Sequence, residues 1–420
     1  MTSGVASIPP MDRLLRNGRL PDGRRVDIAV SHGTISAVTP AGSGPTDAPA
    51  VDDLRDWLVL PAPAEPHAHL DKALTAEVIL NPRGDLEGAI ESWINAARAG
   101  AITPENIVER AGRAVELLLV HGVTAVRSHV NVGGESGIRN MVAMTEVRDR
   151  YEGLVDIQLV ALTHTPMTGP AGADNRAALI DAMAAGADLV GGCPHLDPDG
   201  AAMISNAIAV ANDAGVGIDL HVDEMLDPSV LTLRELARQV RETGFEHPVA
   251  ASHCVTLGMQ SPEVQAQVAR EVAAAGIAVF PLPQTNLFLQ GRDHPTATPR
   301  GLTAIRALQD AGVVVAAGAD NVQDPFNLVG RSDPLETAAL LVMAGHQLPD
   351  DAYRMVSNDA REAMGLTRVA VEVGSPADLL VIDATSPRQA VADAPMARRV
   401  YRQGVLVASA DQQTQVHQRP

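Results

Sequence analysis

Lysine is almost absent from this chain of 420 residues: Lys72 stands alone, and 31 arginines carry the remaining side-chain positive charge. Cysteine is nearly as scarce. Cys193 and Cys254 lie outside any Cys-x-x-Cys spacing, which excludes a disulfide framework and a thiolate zinc site and leaves both as small packing residues. Aromatic side chains number nine. No run reaches ~18 uninterrupted apolar residues, the length a membrane-spanning helix needs, and Met1–Arg13 lacks the basic and apolar stretches of a secretory leader, so a cytoplasmic location is expected. Basic residues are outnumbered by acidic ones, 32 to 51, for a net charge of −19. Such a surface repels phosphate backbones and anionic lipid, which argues against nucleic-acid and membrane partners. The His-x-Glu with Pro-Cys-x-x-Cys signature of zinc nucleobase deaminases is missing, and so is His-Glu-x-x-His.

What is present is a regular alternation. Short β-branched runs at 57–62, 123–130, 155–163, 187–193, 216–222, 248–254, 276–282 and 313–320 are separated by Ala/Leu/Arg/Glu segments of helical period. Eight strand candidates with helices between them predict an α/β fold, a (β/α)8 TIM-type barrel. The flanks, with "GRRVDIAVSHGTISAVTPA" on one side and "ADLLVIDA" and "RRVYRQGVLVAS" on the other, alternate apolar and polar residues as antiparallel strands do. They predict a small composite β-sandwich domain from both termini: 1–60 and 369–420 flank a barrel of 61–368.

A barrel of this kind presents its reactive groups at the C-terminal strand ends. Those ends carry His67 and His69, then His221 with Glu224 just beyond, then His253, then Asp320. Two-residue spacing on an extended chain puts His67 and His69 on one face. Neutral nitrogen and carboxylate ligands with acid/base groups beside them suit one divalent metal with an open water position. Taken singly, each member also reads as a satisfied buried histidine or a helix cap; their joint placement favours the metal. His129 and His195 read as packing residues.

The segments "EPHAHLDK", "DLHVDE", "SHCVTLG", "NLFLQGR" and "GADNVQDPFNLVG" resemble, in order, the cytosine deaminase branch of the amidohydrolase superfamily. The resemblance implies that His67, His69, His221 and Asp320 bind one metal ion, Fe(2+) or Zn(2+). It implies that Glu224 and His253 handle protons, with Asp320 helping to orient water, and that Gln290 contacts substrate. The fourth run, "ADLVGGCPHL", offers no lysine to bridge a second metal, so a mononuclear site is expected. The N-isopropylammelide isopropylaminohydrolases resemble this chain further in having His-x-His-x-x-Lys. Lys72 then either donates to a ring carbonyl, stabilising charge during attack, or is a loop lysine facing solvent. His164 stands where the branch usually has a glutamine, Asn321 where cytosine deaminases tend to have aspartate, and Phe326 where they tend to have tryptophan, so the substrate's hydrogen-bond pattern should differ from that of cytosine. The expected activity is metal-dependent removal of ammonia or a small amine from a pyrimidine-, triazine- or purine-like ring by a homo-oligomer. The alternatives are hydrolysis of a cyclic amide or N-alkylamine bond at the same site, and a non-catalytic binding protein.

Overall fold

The computed structural model describes residues 13–44 and 48–417. Among these, seven parallel strands form one sheet in strictly sequential order: Ala64–Ala68, Ala125–Val132, Asp156–Thr163, Leu189–Gly192, Gly217–Val222, Val249–His253 and Ile277–Phe280. Sequential parallel pairing requires a crossover helix at each step. Those helices cover the outer face, so strands such as Gly217–Val222 and Val249–His253 are buried at every residue. The helix Pro104–Val120 shows how the sequence specifies such a cover. Thr103 caps its start by accepting from Asn106 N, proline occupies the first turn, and Ile107, Ala111, Val115, Leu118 and Leu119 form one buried stripe.

The eighth candidate, 313–320, is not a regular strand. It meets its neighbours through single parallel bridges, Val315 to Val279 and Asp320 to Ala68, and Asp320 N donates to His67 O at 3.0 Å. Ladder pairing fails here because the buried Glu65 carboxylate takes the Ala319 N–H, at 3.1 and 3.0 Å to its two oxygens. Gly318 makes room for that carboxylate: a Cβ there would lie 2.2 Å from Glu65 Oε1. The barrel is closed, with a side chain substituting for part of the seam.

Both chain ends build the second sheet, in which eight strands among the described residues run from Arg13–Arg19 to Val405–Ala410. Its pairings are antiparallel except that Arg13–Arg19 runs parallel to Ala50–Asp53 and meets Leu58 in parallel. The run at 57–62, expected as the first barrel strand, belongs to this sheet: Leu58–Pro61 pairs antiparallel with Leu379–Ile382. The barrel begins instead at Ala64–Ala68, after the irregular residues Ala62 and Pro63. Period-two alternation divides the sheet between two cores. Leu58, Leu60, Leu380, Ile382 and Val400 pack into the barrel core, whereas Val59, Leu379, Val381 and Tyr401 pack with Leu15, Ile28 and Ile35 in a core of the terminal sheet.

Arg398 joins the sheet to the barrel. Its fully buried guanidinium bonds both oxygens of Asp333 at 2.9 and 2.7 Å and the carbonyl of His121 at 2.9 Å. His121 is the C-cap of one helix, and Asp333 caps the N-terminus of Pro334–Met343. Removing one partner of a buried pair costs about 3–5 kcal/mol. Arg398→Ala should therefore lower the unfolding free energy by an amount in that range, read from a urea titration followed by far-UV circular dichroism.

Candidate active site

The C-terminal ends of the parallel strands gather the groups expected there. His67 lies in the first strand and His69 just beyond it; His221 is next to last in the fifth and His253 ends the sixth; Asp320 ends the eighth segment. All five are buried. His69 Nε2 stands 3.1 Å from His221 Nε2 and 3.2 Å from Asp320 Oδ1, and His67 Nε2 stands 3.5 Å from the same oxygen. Ligand atoms of His67, His69 and His221 lie within 4.8 Å of one another, and those of His67, His253 and Asp320 form a second such group.

These atoms fit a cation. His67 Nε2, His253 Nε2 and both Asp320 oxygens are buried without a hydrogen-bond partner among the described residues, an arrangement that is costly unless something else satisfies them. Ligands about 2.0–2.1 Å from a tetrahedral ion lie about 3.3 Å from each other. The separations of 3.1, 3.2 and 3.5 Å bracket that edge.

The backbone at these strand ends is strained. Asp223, His253, Cys254 and Asp320 all have positive φ, between 49° and 67°, a conformation that costs about 1–3 kcal/mol at a non-glycine residue. Neighbours hold it in place: Cys254 N donates to Val222 O at 2.8 Å, and the Asp223 carboxylate takes the Thr232 and Leu233 N–H groups at the start of the helix Thr232–Thr243.

Burial sets the proton occupancies. Desolvation, and then the nearby Asp320 charge, pushes the Glu224 carboxyl well above the ordinary carboxylate range. Burial lowers His253 to about 3 and His69 to about 4. Burial alone would raise Asp320, but the neighbouring His67 and His69 rings hold it well below its usual value. Glu224 Oε1 lies 3.5 Å from His253 Nδ1, so a carboxyl whose burial favours its protonated form stands beside an imidazole whose burial favours its neutral form.

Lys72 does not face solvent: it is 3% exposed. Its Nζ lies 2.7 Å from Asn131 Oδ1, 3.1 Å from His69 Nδ1 and 3.3 Å from Asp71 Oδ1, and 5.6 Å from the ring of Trp93. Asp71 in turn accepts from Asn131 N and Asn140 Nδ2, so a polar network fixes the head group. A cavity of about 150 Å³ opens beside Lys72, His69, His221, Glu224, His253 and Asp320. His164, Asn321 and Phe326 line it as well. Gln290 is not among its lining residues; the amide donates to Glu224 O at 3.0 Å and so braces the acid's backbone.

Several lining residues escaped the sequence reading. Leu86, Ile90, Trp93 and Ile94 wall the cavity from the helix Leu86–Arg98; their spacing marks one helical face, but a face packed on a core has the same pattern. Cys193, expected as packing, also lines it. Asn131 shares its strand face with His129, and Asp219 shares one with His221, so period-two parity was the available signal for both. His129 lies against the site, its ring centroid 4.0 Å from that of His67.

Comparison with known proteins agrees with this geometry. The amidohydrolase family profile matches residues 76–408, and the chain belongs to that family; together with its deaminase relatives this makes it a hydrolase acting on C–N bonds. It is 32% identical to a pterin deaminase of Rhizobium rhizogenes over 96% of this chain and 92% of that protein. It also resembles the solved structure of 5-methylcytosine deaminase from Klebsiella pneumoniae liganded with 5-fluorocytosine, at 28% identity and a TM-score of 0.85, covering 96% and 99% of the two chains. For N-isopropylammelide isopropylaminohydrolase from Burkholderia multivorans the values are 27% and 0.82, over 95% and 98%. No helix among the described residues is long and apolar enough to cross a membrane.

Because Lys72 is the chain's one lysine and is buried, an amine-acylating reagent should leave it unmodified in the native protein and modify it after unfolding. Peptide mass mapping reads the difference directly.

Proposed function

We propose that the chain is a metal-dependent aminohydrolase that removes the exocyclic amine of a pterin-like ring, with His67, His69, His221 and Asp320 holding one divalent cation, iron(II) or zinc. The observation that carries this reading is the convergence of unpartnered buried His253 and Asp320 atoms on one apolar-walled cavity that also holds Glu224 and Lys72, with the unpartnered Nε2 of His67 3.5 Å from Asp320 Oδ1. Water enters and ammonia leaves, so the ring carbon exchanges a C–N bond for a C–O bond. When bound, such a cation supplies Lewis acidity, which can bring the pKa of water from 15.7 to about 7.

The chain's own residues do the rest. Neutral His253 accepts a proton from the attacking water, with the Asp320 carboxylate orienting it. Glu224, whose burial favours the protonated form, delivers a proton to the ring nitrogen beside the reacting carbon and then serves the departing amine. Lys72 donates to a ring carbonyl on which negative charge grows during attack. His164 and Asn321 read the polar edge of the ring, and Phe326 and Trp93 offer apolar surface to its faces.

A pterin is favoured because the pterin deaminase relative matches almost end to end and the Leu86–Ile94 wall suits a flat fused ring. A second reading, release of an alkylamine from a triazine, is supported by the isopropylammelide relatives and the buried lysine. Ammonia and isopropylamine release from pterin, 5-methylcytosine and N-isopropylammelide distinguishes them. We expect the highest kcat/KM on pterin; the highest value on N-isopropylammelide selects the second reading, and no release by metal-loaded protein from any of the three overturns both. The proposal includes a cytoplasmic homo-oligomer, which cell fractionation and light scattering test.

Glu224→Gln should retain its metal and lose turnover by at least about 10²–10⁴-fold, the usual worth of a general acid; metal analysis and steady-state rates check both halves. Lys72→Met should likewise load fully with metal while kcat falls about 10²–10³-fold. An unchanged rate in either variant removes that residue's assignment.

A further inference from the structure

Beneath the cavity lies a buried polar cluster with no place in the proton transfers above. His67 Nδ1, on the side of the ring away from Asp320, lies 2.7 Å from Ser252 Oγ. Ser252 Oγ donates to Asp219 Oδ1 at 3.3 Å, and Arg127 NH1 donates to Asp219 Oδ2 at 2.8 Å. Arg127 is tied further to Gln158 Oε1 through its Nε at 2.9 Å. Ser252 and Asp219 are fully buried and Arg127 almost so, and neighbouring barrel strands supply them: Ser252 stands beside His221 in the register of the fifth and sixth strands.

The chemistry of the end groups gives this chain a direction. A guanidinium can only donate and a carboxylate can only accept. Ser252 is the side chain within hydrogen-bond distance of Asp219 Oδ1 among the described residues, since His129 Nε2 is 3.6 Å away. If the hydroxyl proton turned toward His67, that buried oxygen would lose its partner, at a cost comparable to a broken hydrogen bond. The hydroxyl therefore points at Asp219 and offers His67 a lone pair, which requires a hydrogen on Nδ1 and leaves Nε2 bare. His69 and His221 have no such support: the Nδ1 of His69 faces Lys72, and that of His221 is buried without a partner.

We infer that Ser252, backed by Asp219 and Arg127, is a positioning residue that fixes His67 in the tautomer and orientation presenting Nε2 to a divalent cation. The inference rests on the metal reading of the site. Hydrogen-bond partners of metal-binding histidines are worth about 10–100-fold in affinity, and the effect is on binding, so no substrate needs to be known.

The test is Zn²⁺ affinity of the metal-stripped full chain, measured by competition with a chromophoric chelator and accompanied by thermal melts. Ser252→Ala should bind Zn²⁺ about 10–100-fold more weakly than wild type, while Ser252→Thr, which keeps the hydroxyl, recovers most of the affinity. Should the alanine variant not fold, Ser252→Cys, with only a weak donor and acceptor, carries the same expectation of weakened binding. Wild-type affinity in a folded Ser252→Ala or Ser252→Cys protein overturns the inference and leaves the metal site standing. Failure of wild type to take up either Zn²⁺ or Fe²⁺ overturns the metal reading, and the inference with it.

Discussion

The hydrogen bond from Asp320 N to the carbonyl of His67 is the constraint on which the site depends. It joins the last barrel segment to the first, and the side chains at both of its ends point into the site. Glu65 secures the same seam from below, where the absence of a Cβ at Gly318 lets its carboxylate reach the Ala319 N–H. Closing the cylinder and bringing the carboxylate to the histidines are one event. A seam zipped by an ordinary ladder would have had no use for a buried glutamate.

Burial then gives the grouped residues different proton occupancies. With water excluded, burial favours the protonated form of Glu224 and the neutral form of His253, so a proton donor and a proton acceptor stand side by side. The polar side chains around them belong to separate supports. Lys72, Asp71 and Asn131 brace the rim; Ser252, Asp219 and Arg127 brace the floor; Gln290 braces the Glu224 main chain. Each support is anchored on a barrel strand or helix end or on the turn that follows one, which limits how far the grouped side chains can drift.

Much of this was legible in the sequence, because the histidines and acids sit at the ends of strands whose apolar runs are easy to find. The barrel, the composite terminal sheet and the grouping of His67, His69, His221 and Asp320 follow from that pattern. The first strand is hidden in the sequence for a physical reason. Leu58 and Leu60 turn toward the barrel core and are as apolar as a barrel strand, whereas "AEPHA", the strand that carries His67, has no β-branched residue and includes a proline. The eighth segment looked regular because β-branched valines say nothing about a competing side chain 254 positions away. The resemblance gives Gln290 a substrate contact; in the structure its amide donates to the Glu224 carbonyl. Trp93 was invisible because helical spacing does not say which neighbour a face will meet.

The distance along the chain between the partners at the seam has a consequence for how the protein is made. Glu65 and Ala319 are 254 positions apart, so a ribosome must have released most of the polypeptide before the pocket can exist at all. Contacts this far apart are slow to form because the intervening chain must be ordered first. Early intermediates would therefore hold loose histidines without their aspartate, and capacity to retain a cation should arise late, as a marker that the whole cylinder has closed.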